Sequence, residues 1–216
     1  MIKKLQALKA KKGFTLVELI VVIAIIGVLA AILVPTMLGY VTSSQVTSKN
    51  STAASIQKSV NEFLTSADTN GYGMKQSNTA IDSIDILVTG SAWSTGAAAT
   101  AANFKAGSSV KWGVAAGAGA KANDTKVGVT SAEQLLCIEL ANLFPSLKEA
   151  AIHIELKGGV CTAVAYTEDQ STAIATTDMP AITNGEFGST FAWDTKTAGI
   201  APSGITVGTS PVVPLG

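Results

Sequence analysis

The pattern of apolar and polar positions divides the chain into three parts. Residues 16–38 form an almost unbroken apolar run, LVELIVVIAIIGVLAAILVPTML, interrupted chiefly by Glu18, Gly27 and Pro35. From residue 36 to 67 the apolar positions thin out to Leu38, Val41, Val46, Ala53, Ile56, Val60, Phe63 and Leu64. They recur mainly at helical spacings, with Ser, Thr, Gln, Lys and Asn between them. Such a period marks a helix with a single apolar stripe. Residues 14–67 therefore predict one helix of about 80 Å, apolar all round in its first half and amphipathic in its second. The stripe is expected to lie against a sheet. Pro35 brings no N–H and is expected to bend this helix or leave a carbonyl unpaired.

The third part is built differently. Asp68-Thr69-Asn70-Gly71-Tyr72-Gly73 ends the helix. Short apolar pieces at 81–88 and 110–115 then alternate with stretches such as GAAATAANFKAG and GVAAGAGAKAND, which read as loops or weak strands. Thr130 and Glu133 form a capping box for a helix through Leu135, Leu136, Ile138, Leu140 and Leu143 that stops before Pro145. The clearest hairpin follows. Ile152, Ile154 and Leu156 alternate with His153, Glu155 and Lys157, Gly158-Gly159 supplies the turn, and residues 160–166 return. Further strands are expected at 187–193 and 205–207. The tail, with Pro202, Pro211 and Pro214, reads as an edge or covering segment. The fold class is α+β, a long helix on an antiparallel sheet with a Gly/Ala/Ser/Thr-rich insertion.

Charge sharpens the picture of the N-terminal end. The 216-residue chain is formally neutral, yet Lys3, Lys4, Lys9, Lys11 and Lys12 all precede Gly13 with no acid among them. From Phe14 onward ten lysines face fifteen acids, a net charge of −5. An apolar run of about 20 residues is enough to cross a bilayer core of about 30 Å. The lysines before it keep the N-terminus cytoplasmic and leave the C-terminal part outside. An excess of acids on the folded part argues against nucleic-acid binding. Cys137 and Cys161 are the only cysteines. In an exported domain two cysteines are expected to pair, and a disulfide from the 132–143 helix to the hairpin would stabilise the fold by roughly 3 kcal/mol in the chain-entropy account.

An ordinary secretory signal is cut after its apolar stretch and has no use for an acid within it. Glu18 is such an acid, and an ionisable residue inside a membrane span marks function by default. The segment Gly13-Phe14-Thr15-Leu16-Val17-Glu18, followed by the apolar run, resembles the prepilin signature of type IV pilins. It resembles equally their relatives, the pseudopilins of type II secretion and competence systems. The likeness covers roughly residues 8–40 and rests on a cleavage-site glycine, an aromatic residue next to it and an acid four positions later.

The resemblance implies a pilin fold with three regions: a basic leader at 1–13, a transmembrane and filament-core helix at 14–38, and at 39–216 the rest of the helix with a globular head. A dedicated prepilin peptidase would cut after Gly13 on the cytoplasmic side and N-methylate the new terminus at Phe14. Pro35 matches the family's helix-bending proline. The implied partners are copies of the chain itself, the peptidase, an inner-membrane assembly platform and, for the monomer, the membrane. Outside lipid, an extracted helix must bury its apolar side against other copies. There the Glu18 carboxylate needs an opposite charge, and the Phe14 amine of an adjacent subunit supplies it, giving the stack its register. Phe14, Glu18 and Pro35 are thus the expected assembly residues, in a pilus subunit or alternatively a pseudopilin.

The rest of the chain offers no catalytic pattern. His153, the single histidine, alternates outward on its strand and reads as a surface residue. No nucleophile elbow, CxxC, HExxH, phosphate loop or EF-hand pattern occurs. Major pseudopilins often bind calcium near the C-terminus, but Glu168, Asp169 and Asp178 match no metal-ligand spacing, and with Asp124 and Asp194 they read as solvated loop acids. No enzyme activity, cofactor or metal is expected. Asn50-Ser51-Thr52 and Asn123-Asp124-Thr125 fit the N-glycosylation triplet.

Overall fold

A computed structural model describes residues 14–69, 81–95, 132–170, 172–194, 198–214 and 216. The leader with Gly13, the expected strand at 110–115, the triplet at Asn123 and the capping residue Thr130 lie outside them. The predicted long helix is present as α1 (Leu16–Thr69), with Pro35 inside it. The chain divides into two compact units, Met1–Val41 and Thr42–Gly216, and α1 runs through the boundary.

In the first unit every described side chain of the helix is exposed, although a helix apolar nearly all round is of the kind that is buried in a core or a membrane. In the second unit α1 buries one stripe: Val46, Ala53, Ile56, Val60, Phe63, Leu64 and Ala67. These residues recur at three, four and seven, the spacing read from the sequence. Each fully buried Ile or Val there is worth about 1.5–3 kcal/mol relative to exposure.

Their partner is a five-stranded antiparallel sheet made of β1 (Ile81–Thr89), β2 (Ala92–Thr95), β3 (Glu149–Lys157), β4 (Val160–Thr167) and β7 (Gly208–Ser210). The strand order is β2-β1-β3-β4-β7. The helix α2 (Ala132–Leu143) lies between β2 and β3 in sequence and contributes Leu135, Leu136, Ile138 and Leu140 to the same core as α1. Ile84, Ile86, Ile152, Ile154, Leu156, Val164 and Tyr166 supply the sheet's side of that core.

Turn chemistry sets the hairpins. Gly158-Gly159 joins β3 to β4 with positive φ at both residues, as the sequence predicts. Gly90-Ser91 does the same between β1 and β2, and Asn184-Gly185 between β5 (Ile182–Thr183) and β6 (Glu186–Phe187). Paired left-handed residues match the right-handed twist of the flanking strands. The β3–β4 ladder carries a bulge at Glu155/Leu156, where the extra residue is Thr162. That insertion turns Cys161 toward the α1 side, opposite Leu156.

Two strand expectations need correction. The stretch 187–193 contributes only its first residue to β6. The remainder is loop, with Phe191 and Trp193 edge-on at 4.4 Å in a second core. The strand expected at 205–207 falls instead at 208–210, because Val207 N–H is taken by the Gly199 carbonyl at 2.6 Å. The second core covers the opposite face of the sheet, joining Leu87, Ala151 and Ala165 to Ile174, Met179, Trp193, Ala201, Val207 and Val213. The tail is both edge and cover, as expected: β7 closes the sheet, and the Val213 carbonyl accepts the Trp193 indole N–H at 3.0 Å.

Polar side chains on α1 fasten that edge. Lys49 Nζ reaches Asp169 Oδ2 at 2.9 Å and the Thr206 carbonyl at 3.1 Å. Asn50 Oδ1 accepts the Thr209 N–H at 2.8 Å, so this triplet asparagine ties the helix to β7. Gln57 accepts from Ser210 and donates to the Cys161 carbonyl, while Asn61 bonds both backbone groups of Cys161. At Gly208 the strand runs so near the helix that a Cβ would stand 2.2 Å from the Lys49 carbonyl carbon. Only glycine fits there.

Candidate assembly segment

The helix start is organised by its own sequence. Thr15 is the cap: its hydroxyl accepts the Glu18 N–H at 3.3 Å and its carbonyl accepts the Leu19 N–H at 3.2 Å. Glu18 Oε2 reaches back to the Thr15 N–H at 2.8 Å and accepts the Thr15 hydroxyl at 2.7 Å. This is a capping box, Thr-x-x-Glu, the motif seen in the sequence at 130–133. The same spacing at 15–18 was legible in principle and is hidden by the prominence of Glu18 as a membrane acid. The carboxylate also favours the positive end of the helix dipole. In the isolated chain Glu18 thus serves its own helix, at a fully exposed site.

Past that turn the surface is apolar. Phe14 is 85% exposed, and Leu16, Val17, Leu19, Ile20, Val22, Ile23 and Ile26 are all more than half exposed. Val21, Ala24, Ile25, Val28 and Leu29 line a shallow groove along one face. The spacing of those five residues, three and four apart, brings them to one side. Among the described residues α1 is the one helix long and apolar enough to cross a membrane. Of the expected assembly residues, Phe14 and Glu18 stand at this helix start and Pro35 lies inside the helix; the structure brings Glu18 to Thr15.

Elsewhere the structure revises three expectations. No disulfide joins Cys137 and Cys161: both are buried thiols of the α1-side core, where cysteine serves as a small apolar side chain. Cys161 Sγ donates to the Ala163 carbonyl at 3.8 Å, and burial pushes its thiol up to about 12. His153 is not a surface residue. It is buried between Asp85 and Glu155, because the second core covers the face on which alternation places it. Asp178 and Asp169 are not idle loop acids. Asp178 is buried and accepts the Ser203 N–H at 3.3 Å, and Asp169 pairs with Lys49 and accepts the Thr206 N–H at 2.7 Å. Among the described residues no group of three or more His, Cys, Asp or Glu is placed to hold a metal ion.

Comparison with known proteins agrees with this geometry. Residues 8–34 match the prokaryotic N-terminal methylation motif. Fimbrial protein Q of Moraxella bovis is 40% identical over 83 residues, 38% of this chain and 52% of the relative. A fimbrial protein of Pseudomonas aeruginosa is 58% identical over 40 residues, 18% of this chain and 26% of that protein. The type IV major fimbrial protein FimA of Dichelobacter nodosus is 58% identical over 36 residues, 17% of this chain and 23% of that protein. The chain spans about half the length of two Moraxella fimbrial proteins it matches, 52% and 50%, and a smaller share of the other relatives. No solved structure matches it. The exposed apolar helix starts within the methylation motif and continues into the unit that holds the antiparallel sheet. In its N-terminal part the chain is similar to these fimbrial proteins, and its residues 8–34 carry the prokaryotic N-terminal methylation motif.

Proposed function

We propose that this chain is the precursor of a structural subunit that polymerises through α1 into a type IV pilus serving adhesion, motility or surface attachment. The observation that carries the reading is the first part of α1: an apolar surface open on all sides with one acid, Glu18, at its start. Such a surface has two stable settings, a bilayer or a bundle of like helices. Before assembly the subunit is a single-pass membrane protein with a cytoplasmic N-terminus. After assembly it is part of an extracellular filament. The prepilin peptidase removes 1–13 after Gly13 and methylates the Phe14 amine, and an inner-membrane platform adds subunits to the fibre. The fimbrial names of the relatives favour the pilus over the pseudopilus. The role is mechanical, and no residue is assigned to catalysis or to a cofactor.

Within the filament the Thr15–Glu18 box leaves the second carboxylate oxygen, Oε1, to face the methylated Phe14 amine of a neighbour. Methylation keeps that amine charged, so a buried carboxylate finds the counter-charge it requires. The test is mass spectrometry of sheared surface material, with electron microscopy of the same sample. The mature chain is expected to begin at N-methylated Phe14 and to be found in long fibres. A start near residue 31 would mean an ordinary signal peptide and end the reading. Correct processing without extended fibres would point to the pseudopilin.

A further inference from the structure

One cluster of titratable groups has no part in the assembly reading. His153 on β3 stands directly across from Asp85 on β1, and Glu155 lies two positions along its own strand. Nδ1 is 2.7 Å from Asp85 Oδ1, and Nε2 is 2.8 Å from Glu155 Oε1. The imidazole side chain is 9% exposed, Glu155 5% and Asp85 33%. The ring's other cross-strand partner is Ala165, which with Ala151 belongs to the second core. Water therefore does little to screen the ring and Glu155, and reaches Asp85 in part.

A carboxylate can only accept a hydrogen bond, so each ring nitrogen facing one must carry a hydrogen. Where both carboxyl groups are ionised, two such contacts make the ring an imidazolium. Other described ionisable side chains on the surrounding elements have partners of their own. Lys157 pairs with Glu186 of β6 at 2.7 Å, and Glu168 accepts from the Tyr166 hydroxyl. Asp169 pairs with Lys49, and Asp178 accepts from the Ser203 backbone. Glu149 is exposed at the far end of β3. The charge on His153 is thus answered by Asp85 and Glu155.

We propose that Asp85, His153 and Glu155 form a proton-dependent lock that ties β1 to β3 beneath the segment covering the outer face of the sheet. Removing one ring proton leaves a nitrogen lone pair against a carboxylate oxygen, two acceptors in contact and out of water, and the contact opens. Burial alone would push the imidazole down, but its bonds to Asp85 and Glu155 outweigh this and hold it above its ordinary value. The stability the lock contributes is therefore complete below the unfolded-state value of about 6.5 and is lost as pH rises through the higher folded value. The head is built to loosen in alkali, from the outer face inward.

The chain has a single histidine, so selective ¹⁵N-histidine labelling of the full chain in detergent micelles gives two ring-nitrogen signals and no others. Both nitrogens are expected to be protonated at neutral pH, with a titration midpoint above about 6.5. In Asp85→Asn the midpoint should move back toward that value. Thermal melting of the unchanged chain should fall across the same pH interval, and the fall should shrink in Asp85→Asn. A neutral ring at pH 7, or a midpoint at or below the ordinary value, overturns the proposal. A raised midpoint with melting that ignores it overturns the lock as well. The titration is read on the unchanged chain, so a variant that fails to fold leaves it decisive.

Discussion

Val21 and Val60 lie on the same helix, yet Val21 is 50% exposed and Val60 wholly buried. The two stretches of α1 around them obey the same backbone rules and differ in what their apolar side chains are given to touch. Around Val60 the stripe is filled by the sheet and α2, so the helix is held by its own chain. Around Val21 the side chains are apolar in every direction, more than one stripe needs, and none of the described residues covers them. Changes in residues 14–41 should alter assembly at constant head stability. Changes in 42–216 should alter stability first.

The largest effect is expected at Glu18. Glu18→Ala removes the capping carboxylate and the counter-charge proposed for a neighbour's Phe14 amine. Surface filaments counted by microscopy should drop by roughly two orders of magnitude, the scale of breaking a buried pair. Immunoblots should still show processed subunit in the membrane, and melting of the head should not move. Unchanged filament numbers would dispose of the pairing, whereas loss of head stability would break the separation of the two regions.

Gly208→Ala tests the other side. Its Cβ would stand 2.2 Å from the Lys49 carbonyl carbon and 2.4 Å from its oxygen, both backbone atoms that cannot swing away. The helix or β7 must shift, at a cost of about 2–3 kcal/mol, read as a melting temperature lower by several degrees. Asn61→Ala should be milder. It strips the Cys161 N–H of its side-chain partner, leaves the carbonyl to Gln57 alone and costs about 1–2 kcal/mol by denaturant unfolding.

The smallest effect is in acid. Burial opposes ionisation of Asp169, but the Lys49 ammonium and the Thr206 N–H outweigh it and hold the carboxyl below its ordinary range. A depressed carboxyl contributes stability above its unfolded value of about 3.9 and loses it as pH falls through the folded value. Unfolding curves of Asp169→Asn should lie below those of the unchanged chain at neutral pH and converge with them in acid. The gap should be well under that of Gly208→Ala, because Asp169 is partly exposed and screened.

Local rules made much of this protein legible in advance. The helix from 16 to 69, its change from all-round apolar to striped, the 152–166 hairpin with its Gly-Gly turn and the helix ending before Pro145 each follow from a period or a turn residue within a few positions. The segment at 13–18 is read the same way, since an acid inside an apolar run is conspicuous without any fold. What the sequence alone left undecided depended on which faces become covered. Alternation put His153 and Glu155 opposite Ile152 and Ile154, and one-sided burial would have left them in water. Only the second core, assembled from residues 173–213, made that face interior and forced the ring and its two carboxylates together. Cys137 and Cys161 were both correctly placed on helix and strand, but a disulfide needs a particular distance and direction, and the packed core holds two thiols instead. Lys49, Asn50, Gln57 and Asn61 looked like the solvent side of a helix until Cys161 of β4, Asp169 and the segment from Thr206 into β7 arrived beside them from a hundred or more residues away. Periodicity reports which side of an element is apolar; whether its polar side meets water is decided by the rest of the chain.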